Sequence, residues 1–276
     1  MDNNDSKSVN LVKYLISYGL AAIWILPILW MFFVSISSEG KAVNNGFDWF
    51  LPPYNIESYF EILNGTYMLR WIFNSFIVAF SVTIIVLILT SMVAFAISII
   101  GFKYKEFVFM FFIIGMLVPI EANVIPLFNI AQSLGIMNSY IGLMLPMIAL
   151  PLGVIILRNF FDSIPKSLIE SAQIDGCGWI RMYAQIVLPL SKAAVAAVGI
   201  FTFITTWNNY LWALIVTTRE PMYTIPVGIP TFLDVLRPDY VIPMTVNMVA
   251  ALPAIIIFLV FQKQIIAGLK MSGIKG

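Results

Sequence analysis

The 276-residue chain has no histidine and only one cysteine, Cys177. Without imidazole, the commonest general base and the commonest metal ligand are both missing. A single thiol rules out an internal disulfide and a cysteine-based metal cluster. Charge is also scarce: charged residues make up 11% of the chain, against about 25% in a soluble domain. The formal net charge of +1 provides no basic face, so nucleic acid is not an expected partner. No G-x-x-x-x-G-K-[ST] stretch occurs, so the chain has no phosphate-binding loop for hydrolysing ATP by itself. An intramembrane enzyme is left without a credible catalytic set.

What the chain has is apolar length. Hydrophobic residues make up 61% of it, and the mean hydropathy is +0.95. A bilayer core about 30 Å thick needs roughly 20 mostly apolar residues per helix. Charge-poor windows predict six such helices, at 14–37, 71–100, 107–129, 139–158, 188–217 and 241–262. The third and fourth come from one long window, divided at the polar, glycine-bearing run Asn129–Ser139. The expected fold is therefore all-α integral membrane, a single transmembrane domain over 1–276 with a loop at 159–187 between spans four and five. The first stretch is longer than the roughly 7–15 apolar residues of a cleaved signal, and no A-x-A site follows it, so a retained anchor is expected.

Lysine and arginine set the orientation, because cytoplasmic loops carry the excess. With both termini in the cytoplasm, eleven of the fifteen basic residues lie inside. Only Lys41, Arg70, Arg219 and Arg237 lie outside. The larger outward segments are then about 37–70 and 219–239.

The loop after span four has the signals of a short helix. Ser163 is a plausible N-cap, Pro165 sits where a missing N–H costs little, and Gly176 suits the residue that ends the helix. Leu168, Ile169 and Ala172 would share a face, with Ile174 elsewhere. A helix of about ten residues is marginal alone in water, so this one needs a surface to lie on. From these signals alone the surface is either a partner protein or the membrane, and an ordinary inter-span loop is also open.

The run Glu170-Ser-Ala-Gln-Ile-Asp-Gly176, followed by Ile186-Val-Leu-Pro189, reads E-S-A-x3-G-x9-I-x-L-P. It resembles the cytoplasmic EAA loop of the membrane subunits of ABC importers. That resemblance implies a coupling helix that docks on an ATPase through Glu170, Ser171, Ala172, Asp175, Gly176, Ile186, Leu188 and Pro189. Ser171 stands where the family usually has alanine; a mid-helix serine can bond back to its own backbone, which leaves only the fine fit in doubt.

Other segments resemble the carbohydrate branch, typified by the smaller permease of the maltose system. They are Asn74-Ser-Phe-Ile-Val-Ala79, Pro119-Ile-Glu-Ala-Asn-Val-Ile-Pro126, Leu134-Gly-Ile-Met-Asn-Ser-Tyr140, Trp207-Asn-Asn-Tyr-Leu-Trp212 and a tail from Phe261 to Gly276. The resemblance implies a second, different permease, two ABC ATPase subunits and an extracytoplasmic solute-binding protein, all at a prokaryotic cytoplasmic (inner) membrane. ATP-Mg would sit on the ATPase, and this chain would bind no cofactor. Closure of the ATPase pair would rock the spans as rigid bodies.

Polar groups inside spans are costly and usually face a bundle interior or a wet cavity. Glu121 is the only acid within a predicted span. It either lines a sugar path or holds the partner permease, or else caps a helix broken between Pro119 and Pro126; a proton relay is a weaker option. Asn123, Asn208, Asn209 and Asn247 are candidates for the path, with ordinary interhelical hydrogen bonding as the plainer alternative. Trp207 and Trp212 could stack on sugar rings, although tryptophan belts at interfaces are common. Competing functions are an ABC permease for an amino acid, polyamine or phosphorylated sugar, and an ion-coupled secondary transporter. The latter should show inverted repeats and several intramembrane charges, and neither is visible here.

Overall fold

The computed structural model describes residues 2–38, 41, 45–233 and 240–272. The chain opens with α1 (Asp2–Ser35), α2 (Glu57–Gly65) and α3 (Met68–Phe95), the last continuing into a π turn at Ala96–Ile100. Next come α4 (Lys105–Leu117), α5 (Val124–Ser133), α6 (Tyr140–Met144) and α7 (Pro151–Asp162). The inter-span loop contributes α8 (Lys166–Ile174) and α9 (Trp179–Met182), then a second π turn at Tyr183–Val187. The remainder is α10 (Leu188–Leu190), α11 (Lys192–Trp207), α12 (Leu211–Val216), α13 (Ile225–Gly228) and α14 (Val241–Ser272). No strand occurs among the described residues; an isolated bridge joins Ser37 and Tyr54.

Among the described residues, three helices are long and apolar enough to cross a bilayer unaided: Lys13–Ser35, Met68–Ile100 and Val241–Gln262. The other three expected spans are not straight rods. Lys105–Leu117 and Glu121–Ser133 meet at 85°, Tyr140–Ile148 and Pro151–Asp162 at 46°, and Trp179–Leu190 and Lys192–Trp207 at 81°. The breaks fall within the spans expected at 107–129, 139–158 and 188–217. α7 also runs to Asp162, one turn beyond the expected end of span four.

Proline explains the breaks. A residue before proline is pushed out of the helical region. Val118 (φ −85°, ψ 113°) precedes Pro119, and Leu150 (φ −119°, ψ 83°) precedes Pro151. At the third break, Pro189 cannot donate to the carbonyl one turn back. The π turn just before it widens the pairing, with the Leu188 N–H reaching Tyr183 O, and the chain then bends at Ser191 (φ −100°, ψ 11°).

The chain forms two compact units, Met1–Leu69 with Ile229–Leu252, and Arg70–Gly228 with Pro253–Gly276. In the first, Val34, Trp49 and Val241 are buried together, with Trp30 and Met244 packed on them. Thr245 Oγ1 donates to Ser35 O at 3.0 Å. The apolar window of α1 is not buried at all, so lipid or another chain must cover it.

Among the described residues of the second unit, two clusters of buried side chains stand out. One gathers Phe95, Leu157, Phe161, Met182, Val187 and Val198 around the inter-span loop. The other gathers Val82, Leu143, Trp212, Val216 and Val227. Gly142 allows the second cluster to close: a Cβ there would sit 2.2 Å from the Ile136 carbonyl oxygen, a backbone atom with little room to yield.

Gly142→Ala is therefore expected to cost about 1–3 kcal/mol, the usual scale of overpacking, read as a lower thermal unfolding midpoint of the purified chain in detergent. Gly65→Ala, where no atom lies within 4 Å, should leave that midpoint unchanged or slightly raised.

Candidate functional site: the loop after the fourth expected span and the polar residues of the spans

The expected N-cap at Ser163 is not what starts α8. Ser163 ends α7, donating its hydroxyl to Phe160 O at 2.6 Å. The N-cap is Pro165, with no side-chain capping bond. Its extended ψ of 125° directs the chain into a new helix, and proline sacrifices no helical donor there. The other end follows the expectation. Gly176 has φ +74°, its N–H donates to Gln173 O at 3.0 Å, and the Cys177 N–H donates to Ala172 O at 2.9 Å. This crossed pair is the Schellman stop.

α8 has one face turned into the protein and one turned out. Ile169 and Ala172 join the buried cluster with Phe161, Ile164, Met182 and Val187. Ala172 is only 8% exposed, so it anchors the helix to its own chain and offers no surface for direct docking. Leu168, expected on the same face, is 42% exposed, while Ile174 and Ile180 are each 86% exposed. Glu170, Ser171, Asp175, Gly176 and Pro189 are exposed; Ile186 and Leu188 are half-buried. Ser171 Oγ donates to Ser167 O at 2.8 Å, the back-bond expected of it.

Just before the loop, Arg158 ties α7 to α4. Its Nη2 donates to both Glu106 carboxylate oxygens, at 2.8 and 3.0 Å. Its Nε lies 3.4 Å from Asp162, and the guanidinium sits 3.7 Å above the Phe109 ring. The carboxylates face solvent, where such pairs contribute little, so the ring contact and packing fix the arginine.

The polar residues expected to line a path separate into groups. Glu121 and Asn123 are exposed, in the short 3₁₀ turn Ile120–Asn123 between α4 and α5. The N-cap residues of that turn and of α5, Pro119 and Asn123, make no side-chain capping bond. Asn208 Nδ2 donates to Ile204 O at 2.9 Å and Asn247 Nδ2 to Pro243 O at 2.7 Å; each bonds a carbonyl of its own helix. Asn209 reaches across to Met147 Sδ at 3.2 Å. Asn247 belongs to the first unit and the others to the second.

The tryptophans are structural. Trp207 is 3% exposed and stacks on Phe203 with centroids 5.6 Å apart. Trp212 is buried and donates its Nε1–H to Gly142 O at 2.9 Å. Neither presents a ring face for a sugar, which corrects the stacking expectation. Both sit at the ends of helices that an irregular turn divides, and buried rings fill the gap.

A second polar cluster was not anticipated. Asn74, fully buried, donates to Pro221 O and Tyr223 O at 3.0 and 2.9 Å and accepts from the Tyr140 hydroxyl at 2.6 Å. Ser75 Oγ accepts from the Ile225 N–H at 2.8 Å, and Trp71 Nε1 donates to Glu220 O at 2.8 Å. Asn138, left-handed at φ 53°, accepts the Thr218 and Arg219 N–H groups at 2.7 and 2.9 Å. The visible signal was polar residues placed inside apolar runs. Their partners, backbone carbonyls and N–H groups some 80 to 150 residues away, were not visible. The expected tail motif at Gly273–Gly276 and residues 234–239 of the second outward segment lie outside the described residues.

Residues 88–271 match the family described as the binding-protein-dependent transport system inner membrane component. The chain belongs to that family. As such an inner membrane component, with several apolar helices of spanning length, it is a multi-pass membrane protein. It is 32% identical over 260 residues to the arabinooligosaccharides transport system permease protein of Bacillus subtilis (strain 168), covering 93% of this chain and 92% of that one. It is 28% identical to the sulfoquinovosyl glycerol transport system permease protein of Agrobacterium fabrum, covering 91% and 89%. It is 31% identical to the sn-glycerol-3-phosphate transport system permease protein of Brucella abortus (strain 2308), covering 94% and 95%. Its fold is like that of a chain in a bacterial ABC transporter involved in the import of the acidic polysaccharide alginate. That likeness has a TM-score of 0.82 and 22% identity, over 95% of this chain and 98% of that one.

The two faces of α8 are separable by mutation. Ala172→Leu should lower the unfolding midpoint of the isolated chain in detergent, with a loss of about 1–3 kcal/mol from overpacking. Ile174→Ser, at an outward position, should leave that midpoint within about 0.5 kcal/mol of the parent.

Proposed function

We propose that this chain is the membrane-spanning permease subunit of an ATP-driven importer for a sugar or oligosaccharide. In this reading each bent helix pair crosses the bilayer once, which makes six spans in one transmembrane domain. α8 is the coupling helix on the cytoplasmic side, and both termini are cytoplasmic. The partners are a second, different permease, two ATPase subunits holding ATP-Mg, and an extracytoplasmic solute-binding protein.

The observation that carries the reading is the construction of α8. A short helix anchored by Ile169 and Ala172, and stopped sharply at Gly176, cannot roll freely on its own chain. It presents Glu170, Ile174 and Asp175 outward, a mixed charged and apolar edge of the kind that pairs with a partner groove. A push on that edge would pass into the cluster beneath as rigid-body motion. Glu121 and Asn123, exposed at a helix break, are the proposed path residues, and Asn208, Asn209 and Asn247 are weaker because their amides are already bonded. Sugar cargo is supported by the arabinooligosaccharide and sulfoquinovosyl glycerol relatives. A phosphorylated polyol is the second reading, favoured by the likeness to the sn-glycerol-3-phosphate permease.

Reconstitution of this chain with its partner permease, ATPase and binding protein in proteoliposomes tests the cargo. Hydrolysis should rise with one member of a panel of mono- and oligosaccharides. Silence across the panel in an assembled complex, with a response to glycerol phosphate, would replace the sugar. Glu170→Lys should weaken ATPase docking or uncouple uptake while membrane insertion stays intact; unchanged uptake would remove the coupling role. A reporter fused after residue 276 should read cytoplasmic, and an external reading would invert the topology.

A further inference from the structure

Tyr183 opens the π turn that follows α9, and its hydroxyl lies 2.7 Å from Ser91 Oγ. Ser91 sits within α3, 2% exposed, in the apolar run between Ile84 and Phe95. Its own O–H is directed at the Leu87 carbonyl, so its oxygen accepts the proton of Tyr183. The tyrosine ring meets Phe95 edge-on, with centroids 5.3 Å apart. Phe95 belongs to the buried cluster that holds Ile169 and Ala172 of α8. Beside the tyrosine, Arg181 Nε donates to Gln185 Oε1 of its own stretch.

We infer that the Tyr183–Ser91 hydrogen bond is the positioning contact that carries movement of the loop into α3, so that ATP use is coupled to solute movement. This rests on the importer reading above.

The physical reason is directionality. Packing among Ile169, Ala172, Met182 and Phe95 is apolar and non-directional, so α8 and α9 could slide a fraction of a turn over α3 at small cost. A hydroxyl pair at 2.7 Å keeps its strength only within a narrow range of distance and angle. In an apolar surrounding a sliding motion would leave the Tyr183 O–H without its acceptor, which is expensive. The bond therefore fixes the register between the loop and the span. π turns recur at functional sites, and two π turns flank the contact: Tyr183 begins one, and Phe95 leads directly into the other at Ala96–Ile100. Each widened turn lets its helix pivot locally while the strut holds.

The test uses the whole complex in proteoliposomes, measuring solute moved per ATP hydrolysed for the parent, Tyr183→Phe, Ser91→Ala, the double variant and Ser91→Thr. Tyr183→Phe and Ser91→Ala should each lower the ratio by about fivefold, the scale of one net buried hydrogen bond. The double variant should fall no further than the singles, and Ser91→Thr, which keeps the hydroxyl, should stay near the parent. A lower unfolding midpoint with an unchanged ratio would show a clamp that only supports the fold, and would overturn the inference. So would additive losses in the double variant. A parent complex whose hydrolysis responds to no solute would instead overturn the importer reading, and this inference with it; the parent control thus separates the two failures.

Discussion

Every backbone N–H and C=O in an apolar surrounding has to find a partner within the protein, because no water is there to serve. A continuous helix does most of this by itself, and α1, α3 and α14 are such helices, apart from the carbonyls that Pro27 and Pro253 leave without a donor. The other candidate spans are broken by Pro119, Pro151 and Pro189, and every break frees backbone groups. Much of the polar side-chain structure follows from that constraint. Asn74, Ser75 and Trp71 serve the carbonyls and amides of the turn 220–225. Asn138 takes the N–H groups after α12, and Trp212 bonds Gly142. Side chains that look like site residues in an apolar sequence are, in large part, replacement partners for interrupted backbone.

The same constraint bears on where motion can occur. α8 is short, stopped at one end by Gly176 and begun at the other by Pro165, so it moves as a unit. Its inner face is tied to Phe161, Ile164 and Met182, and its outer edge is free to be pushed. Around it lie two π turns and the bend at Ser191, where helix pairing is already loosened. On the proposed reading, the short helix would be the lever and the loosened turns its joints. The packing of Arg158 on Phe109 holds α7 to α4 immediately upstream of the loop.

Loss of the two tryptophans as sugar platforms changes the expected division of labour. Aromatic rings are used both for carbohydrate stacking and for filling large gaps beside a helix break, and the bare sequence does not separate these uses. Burial does. With Trp207 against Phe203 and Trp212 bonded to Gly142, neither ring is open to a solute, whereas Glu121 and Asn123 are exposed.

Much was legible from the residues in order. Apolar windows of the right length located the helices. The glycine after Asp175 marked the helix stop, because only a residue without Cβ takes φ +74° at small cost. The E-S-A-x3-G-x9-I-x-L-P spacing marked the loop as a built device, and Ser171 made the local back-bond expected of it. These are local properties, governed by propensity, hydropathy and backbone sterics within a few residues. Which way each side chain faced was decided elsewhere. Ala172 turned inward and Leu168 outward, Ser163 closed the preceding helix, and Asn74 found carbonyls about 150 residues away. Such outcomes depend on which distant segments pack together, and pairwise contacts over that separation leave no periodic trace in the chain. Local composition determined where the helices and the loop are; only the tertiary packing decided which of their residues remain free to act.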